Sequence, residues 1–121
     1  MRVDLLAASL VEDGRALRLE THGRATGRPA SATLGFVREP DGSLLVAAGD
    51  PEAAWAANLD ADPSCQVTIA TATGEYEAEL LAGTDRAHAI RELILRGGTP
   101  AERLGSGPAY RLRPRTRGRD D

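Results

Sequence analysis

A chain of 121 residues, 41% hydrophobic and 27% charged, has the size and composition of one globular domain with a modest core of its own. Its net charge of −3 argues against general binding to nucleic acid, and no apolar run approaches the ~20 residues of a membrane span. All fifteen basic residues are arginine, which excludes Schiff-base chemistry on a lysine, and the single Cys65 excludes an internal disulfide or a cysteine-based zinc site.

The first residues, Met1-Arg2-Val3-Asp4-Leu5-Leu6, carry an acid at position 4 and lack the long apolar stretch of a secretory signal, so the expected compartment is the cytoplasm. Residues 3–11 are apolar up to the turn Glu12-Asp13-Gly14 and fit either a strand or a short helix. Residues 15–22 alternate, with Leu17, Leu19 and Thr21 opposite Arg18, Glu20 and His22, which predicts a half-buried strand. Two glycines and a proline make residues 22–29 a loop. A second alternation over 31–38 sets Ala32, Leu34 and Phe36 against Ser31, Thr33 and Gly35. Pro40-Asp41-Gly42-Ser43 then turns the chain into a return strand, Leu44 to Ala48.

Asp50-Pro51-Glu52 has the pattern of an N-cap, a first-turn proline and a first-turn acid, predicting a helix to about Ala61 in which Trp55 and Leu59 share a face. An alternating strand over 65–71, a turn at Ala72-Thr73-Gly74 and a strand at about 75–82 follow. Thr84-Asp85 is expected to cap a second helix with the stripe Ala87, Ile90, Leu93 and Ile94, closed by Gly97. Residues 98–108 form a glycine- and proline-rich loop, Tyr110-Arg111-Leu112 a last short strand, and the alternating arginines beyond it a frayed charged tail. Short strands joined by tight turns, with two inserted helices, predict a mainly β (α+β) domain: an antiparallel sheet closed as a small barrel.

Few residues offer chemistry. The loop Gly23-Arg24-Ala25-Thr26-Gly27-Arg28 combines glycines that allow a backbone N–H to approach an anion, a hydroxyl, and two guanidinium groups. On composition alone the same loop also reads as a solvated connection. Trp55 and Asn58 have equally ordinary readings, a core aromatic and a residue that caps or bridges loops. His22 and His88 lack partners at metal-ligand spacing, and no metal is expected. No serine stands in a G-x-S-x-G setting, and Cys65 reads as a core thiol. The arginine-rich end has no interleaved aromatics for base stacking, so no nucleic-acid partner is expected.

Thr21-His22-Gly23-Arg24-Ala25-Thr26-Gly27 resembles the T-x-G-R-x-[ST]-G signature of the deazaflavin-dependent nitroreductase family. Trp55-Ala56-Ala57-Asn58-Leu59-Asp60-Ala61-Asp62-Pro63 resembles that family's W-x-x-N-L-x-A-x-P motif, at a fitting distance and in the right order. The resemblance implies an antiparallel split β-barrel of the pyridoxamine-phosphate-oxidase-like, FMN-binding type over residues 1–114, with 115–121 as a tail, and a homodimer. It implies the anionic deazaflavin coenzyme F-420 as cofactor, and hydride transfer to a small nitro, quinone or enone acceptor. Arg24, Thr26, Gly27 and Arg28 would lie on its phosphate side, with Trp55 and Asn58 supporting the site. Ala25 stands where the family often has a basic residue, and Arg96-Gly97-Gly98-Thr99 lacks the tyrosines of many catalytic members. No catalytic residue is assigned. The alternatives are an FMN-binding oxidoreductase on the same scaffold and a non-catalytic cofactor-binding barrel.

Overall fold

The structure, a computed structural model, describes residues 10–50, 52–99, 104 and 107–115. Among these residues the elements follow in order as β1 (Leu17–His22), β2 (Pro29–Leu34), β3 (Val37–Arg38), β4 (Leu44–Ala47), α1 (Ala54–Ala61), β5 (Ser64–Ile69), β6 (Ala72–Leu81), α2 (Gly83–Leu95) and β7 (Ala109–Pro114). All seven strands join one antiparallel sheet in the order β2-β1-β5-β6-β7-β4-β3. Its two edges, β2 and β3, are consecutive in the chain and separated only by Gly35-Phe36. So short a link brings the edges together and curls the sheet into a split barrel. The alternation expected over 31–38 is therefore interrupted: β2 pairs with β1 as far as Leu34, and β3 pairs with β4 on the opposite edge.

The inward faces build one aliphatic core. Leu17, Leu19, Leu44, Val46 and Leu112 are fully buried there, with Ala32, Leu34 and Phe36 packed against them. Each such leucine contributes roughly 1.5–3 kcal/mol through burial. α1 packs on β1 and β2, and Trp55, Ala56 and Leu59 extend the same core. α2 lies on the outer side of β4 and β7, where Ala89 and Leu93 meet Leu45, Leu81 and Ala109 in a second cluster.

Local chemistry explains where the elements differ from expectation. Asp50 does not cap α1: its Oδ1 accepts from the Glu52 N–H at 2.9 Å and closes a turn. The helix begins after Ala53 without a side-chain cap or a first-turn acid; Pro51 lies outside the described residues. What delays the helix is Ala53, non-helical at φ −57°, ψ 131°, since the Glu52 N–H is the same donor that a cap at Asp50 would take. α2 likewise starts after Ala82, one residue before Thr84, and Asp85 falls in its first turn. The β5–β6 hairpin turns at Ala70-Thr71, with Ala70 at φ 55°, so Ala72-Thr73-Gly74 is already strand. Residues 10–12 are helical, and the rest of the 3–11 segment lies outside the described residues. β7 runs to Pro114, and the Arg115 N–H still donates to the Glu75 carbonyl at 2.8 Å. The alternating arginines are thus strand rather than frayed tail as far as the sheet reaches: Arg111 forms a two-point pair with Glu39, and Arg113 pairs with Glu79.

Candidate cofactor-binding site

The loop between β1 and β2 is a small closed unit. The Gly23 N–H donates to the Arg28 carbonyl at 2.8 Å, and the Gly27 N–H to the Gly23 carbonyl at 2.7 Å. The Thr26 hydroxyl accepts from the Arg28 N–H at 3.1 Å. Gly27 holds φ +76°, a left-handed conformation that costs other residues roughly 1–2 kcal/mol. At Gly23 the constraint is space: a Cβ would lie 2.9 Å from the Arg28 carbonyl oxygen and 3.2 Å from Thr26 Oγ1. Gly23→Ala is expected to open this pair and cost about 1–2 kcal/mol. A lowered Tm together with faster hydrogen exchange at Gly23 and Gly27 would check it.

These bonds revise one element of the expected anion cradle. The N–H groups of both glycines are already used inside the loop, so the glycines contribute shape rather than donors. Within the loop, the donors without a partner among the described residues include the N–H groups of Ala25 and Thr26, the Thr26 hydroxyl proton and the Arg28 guanidinium. The two backbone donors were not singled out from the sequence. Their signal is the four-residue spacing of Gly23 and Gly27, which closes the loop around them.

Asn58 connects the loop to α1. Its Oδ1 accepts from the Arg24 backbone N–H at 3.2 Å and from Arg24 Nη1 at 2.9 Å. Its Nδ2 donates to Thr21 Oγ1 at 3.0 Å. Thr21 in turn donates to the Ala30 carbonyl at 3.5 Å. Asn58 is 3% exposed and Thr21 1%. The structure thus brings Arg24, Thr26, Gly27, Arg28 and Asn58 into one assembly, with Thr21 as an added buried member. The sequence placed Thr21 on the inward face of its strand and at the head of the T-x-G-R signature, without assigning it to the site.

Trp55 stands apart from this assembly. It is 9% exposed, and its ring lies 5.7 Å from that of Tyr110, tilted by 58°. The Tyr110 hydroxyl lies 3.1 Å from the Ala56 carbonyl and 3.0 Å from Asp60 Oδ1. Trp55 therefore anchors the helix that carries Asn58. Burial and the neighbouring Asp60 carboxylate push the Tyr110 hydroxyl's pKa upward, so it keeps its proton well above neutrality.

A cavity of about 330 Å³ opens beside the loop, lined by Glu20, His22, Pro29, Ser64, Gln66, Glu75 and Arg115 among others. A larger trough of about 780 Å³ shares Glu75 and Arg115 with it but also carries Glu77 and Glu79. Arg113 lines the trough as well, so its carboxylates face two guanidinium groups, while the smaller cavity sets Glu20 and Glu75 against Arg115; neither cavity is lined by Arg24, Thr26, Gly27, Arg28 or Asn58. Among the described residues no group of three His, Cys, Asp or Glu side chains could hold a metal ion. No described helix is long and apolar enough to cross a membrane.

Cys65 also lines the smaller cavity, yet burial pushes its thiol up to about 12. Its Sγ sits 3.6 Å from the Tyr76 carbonyl. The nucleophilic thiolate is therefore scarce at neutral pH. The folded protein should leave a thiol-reactive disulfide reagent unconsumed at pH 8 and react at one site per chain only in denaturant. Fast labelling of the native protein would contradict this.

The family model of F420H(2)-dependent quinone reductases matches residues 7–97. Among solved structures, an F420-H2 dependent reductase (FDR-A) superposes with a TM-score of 0.67 at 22% identity, covering 81% of this chain and 93% of that one. A candidate pyridoxamine 5'-phosphate oxidase from Listeria innocua gives a TM-score of 0.65 at 16% identity, covering 94% of each chain. A protein described as a domain-swapped dimer gives 0.65 at 19% identity, covering 92% of this chain and 96% of that one. These likenesses establish the split-barrel fold. A comparison with curated protein sequences finds no match.

Proposed function

The chain belongs to the F420H(2)-dependent quinone reductase family, and on that premise we propose that it binds coenzyme F-420 through the loop of residues 23–28 and reduces a small nitro, quinone or enone acceptor. The observation that carries this reading is the state of the loop's cations. Arg24 is held by a neutral amide, which leaves its charge uncompensated, and Arg28 has no partner among the described residues.

The donor set fits an anionic, phosphate-bearing coenzyme: two guanidinium groups, the Thr26 hydroxyl proton, and the N–H groups of Ala25 and Thr26. When bound, the reduced deazaflavin supplies the hydride. The chain's own part is to bind and orient. Arg24 and Arg28 supply charge, Gly23 and Gly27 shape the loop, and Asn58 and Thr21 fix its inner edge to the barrel. Trp55 supports the site at one remove, by holding α1 against Tyr110.

The loop is exposed on a single copy, and a solved neighbour of the same fold is described as a domain-swapped dimer. Both support a homodimer in which a second copy helps enclose the coenzyme. The proposed compartment is the cytoplasm.

Titration of the purified protein with oxidised F-420, with FMN in parallel, tests the reading. Saturable F-420 binding with FMN indifferent supports it. Binding of FMN alone would assign the site to a flavin. Binding of F-420 without reduction of any nitro, quinone or enone compound would make the protein a cofactor carrier. Binding of neither would remove the loop as a cofactor site.

A further inference from the structure

We infer that Asn58 is a positioning residue whose electrical neutrality sets the loop's affinity for anions: it holds Arg24 in place without cancelling its charge. The inference rests on the loop being the phosphate side of the coenzyme site. A single atom, Asn58 Oδ1, accepts both the backbone N–H and the guanidinium Nη1 of Arg24. The backbone and the side chain of one residue are thereby tied to one point on α1. That restricts the guanidinium before any ligand arrives, which reduces the ordering cost of binding.

The orientation of the amide is dictated by its neighbours. Oδ1 faces two donors, whereas Nδ2 faces Thr21 Oγ1, whose own proton is directed to the Ala30 carbonyl. Flipping the amide would set donor against donor at Arg24. The holder of Arg24 is therefore required to be an acceptor on one side and is free to be neutral or charged. A carboxylate would hold Arg24 at least as firmly, since charge-assisted bonds are the stronger kind. It would also supply, inside the protein, the negative charge that the ligand otherwise brings. An amide supplies the geometry and leaves the charge to the ligand.

Asn58→Asp separates the two roles, because it is nearly isosteric and Thr21 can turn its hydroxyl to donate to the new oxygen. The probes are oxidised F-420 and inorganic pyrophosphate, titrated against the whole chain by calorimetry. The expected result is a loss of about tenfold or more in affinity for both probes, while the Arg24 amide stays protected from hydrogen exchange. A purely structural role for Asn58 predicts unchanged affinity in Asn58→Asp, and that result would overturn the inference while leaving the cofactor reading intact. A wild-type protein that binds neither probe would overturn both.

A second measurement needs no variant. In the wild-type protein, pyrophosphate should shift the backbone and side-chain ¹⁵N resonances of Arg24. Saturation without a shift at Arg24 would also overturn the inference.

Discussion

Replacing Arg24 and Arg28 together by alanine should weaken F-420 binding by about a hundredfold while moving Tm by no more than about 2 °C. Hydrogen bonds to charged groups contribute on the order of 1.5–3 kcal/mol each, so two such contacts account for at least that factor. The small thermal effect follows from where the side chains lie. Both residues are exposed, and Arg28 makes no ion pair among the described residues. Arg24→Ala keeps the backbone N–H that Asn58 Oδ1 accepts, so the buried amide retains a partner. Calorimetric titration at two salt concentrations would check both parts. Affinity should fall with salt in the wild type and respond less in the double variant. An unchanged affinity would remove the two arginines from the site.

Tyr110→Ala should cost about 3–5 kcal/mol and carry the site with it. Tyr110 is 1% exposed, packs against Trp55, and places its hydroxyl between the Ala56 carbonyl and Asp60. Large-to-small truncation of a buried aromatic removes transfer free energy and leaves a cavity that the neighbours fill only in part. That is a large share of the stability of a domain this size. Tyr110→Phe should cost about 1 kcal/mol, because it keeps the ring and loses only the hydroxyl's bonds. Since α1 carries Asn58, the alanine variant should also weaken coenzyme binding at temperatures where it is still folded. Denaturant unfolding of the three proteins with F-420 titrations below the transition would measure this. Equal stability of Tyr110→Ala and wild type would contradict the packing of Tyr110 against Trp55.

The strands were legible because alternation is imposed by the pleat: Leu17, Leu19 and Thr21 turn inward whatever the rest of the chain does. The loop was legible for a similar local reason, since Gly23 and Gly27 are needed by a close approach and a positive φ within the loop itself. The ends of elements were less so. Asp50 does accept the Glu52 N–H that a cap would take, but Ala53 is non-helical at φ −57°, ψ 131°, and the helix starts only after it. The β5–β6 turn fell at Ala70-Thr71 rather than on the glycine side, because the register of β5 against both β1 and β6 decides which residues are left unpaired.

What the amino-acid order determined by itself is therefore the class of the fold, the placement of most strands, and an arginine- and glycine-bearing loop suited to an anion. All of these follow from interactions within a few residues. Tertiary structure alone decided which donors that loop leaves open, and what holds it. The glycine N–H groups are consumed by the loop's own closure. Arg24 and Asn58 meet across 34 positions of sequence, Asn58 and Thr21 across 37, and Tyr110 and Ala56 across 54. The curl of the sheet brings these residues together, and no local pattern encodes a contact whose two halves are joined only when the barrel closes.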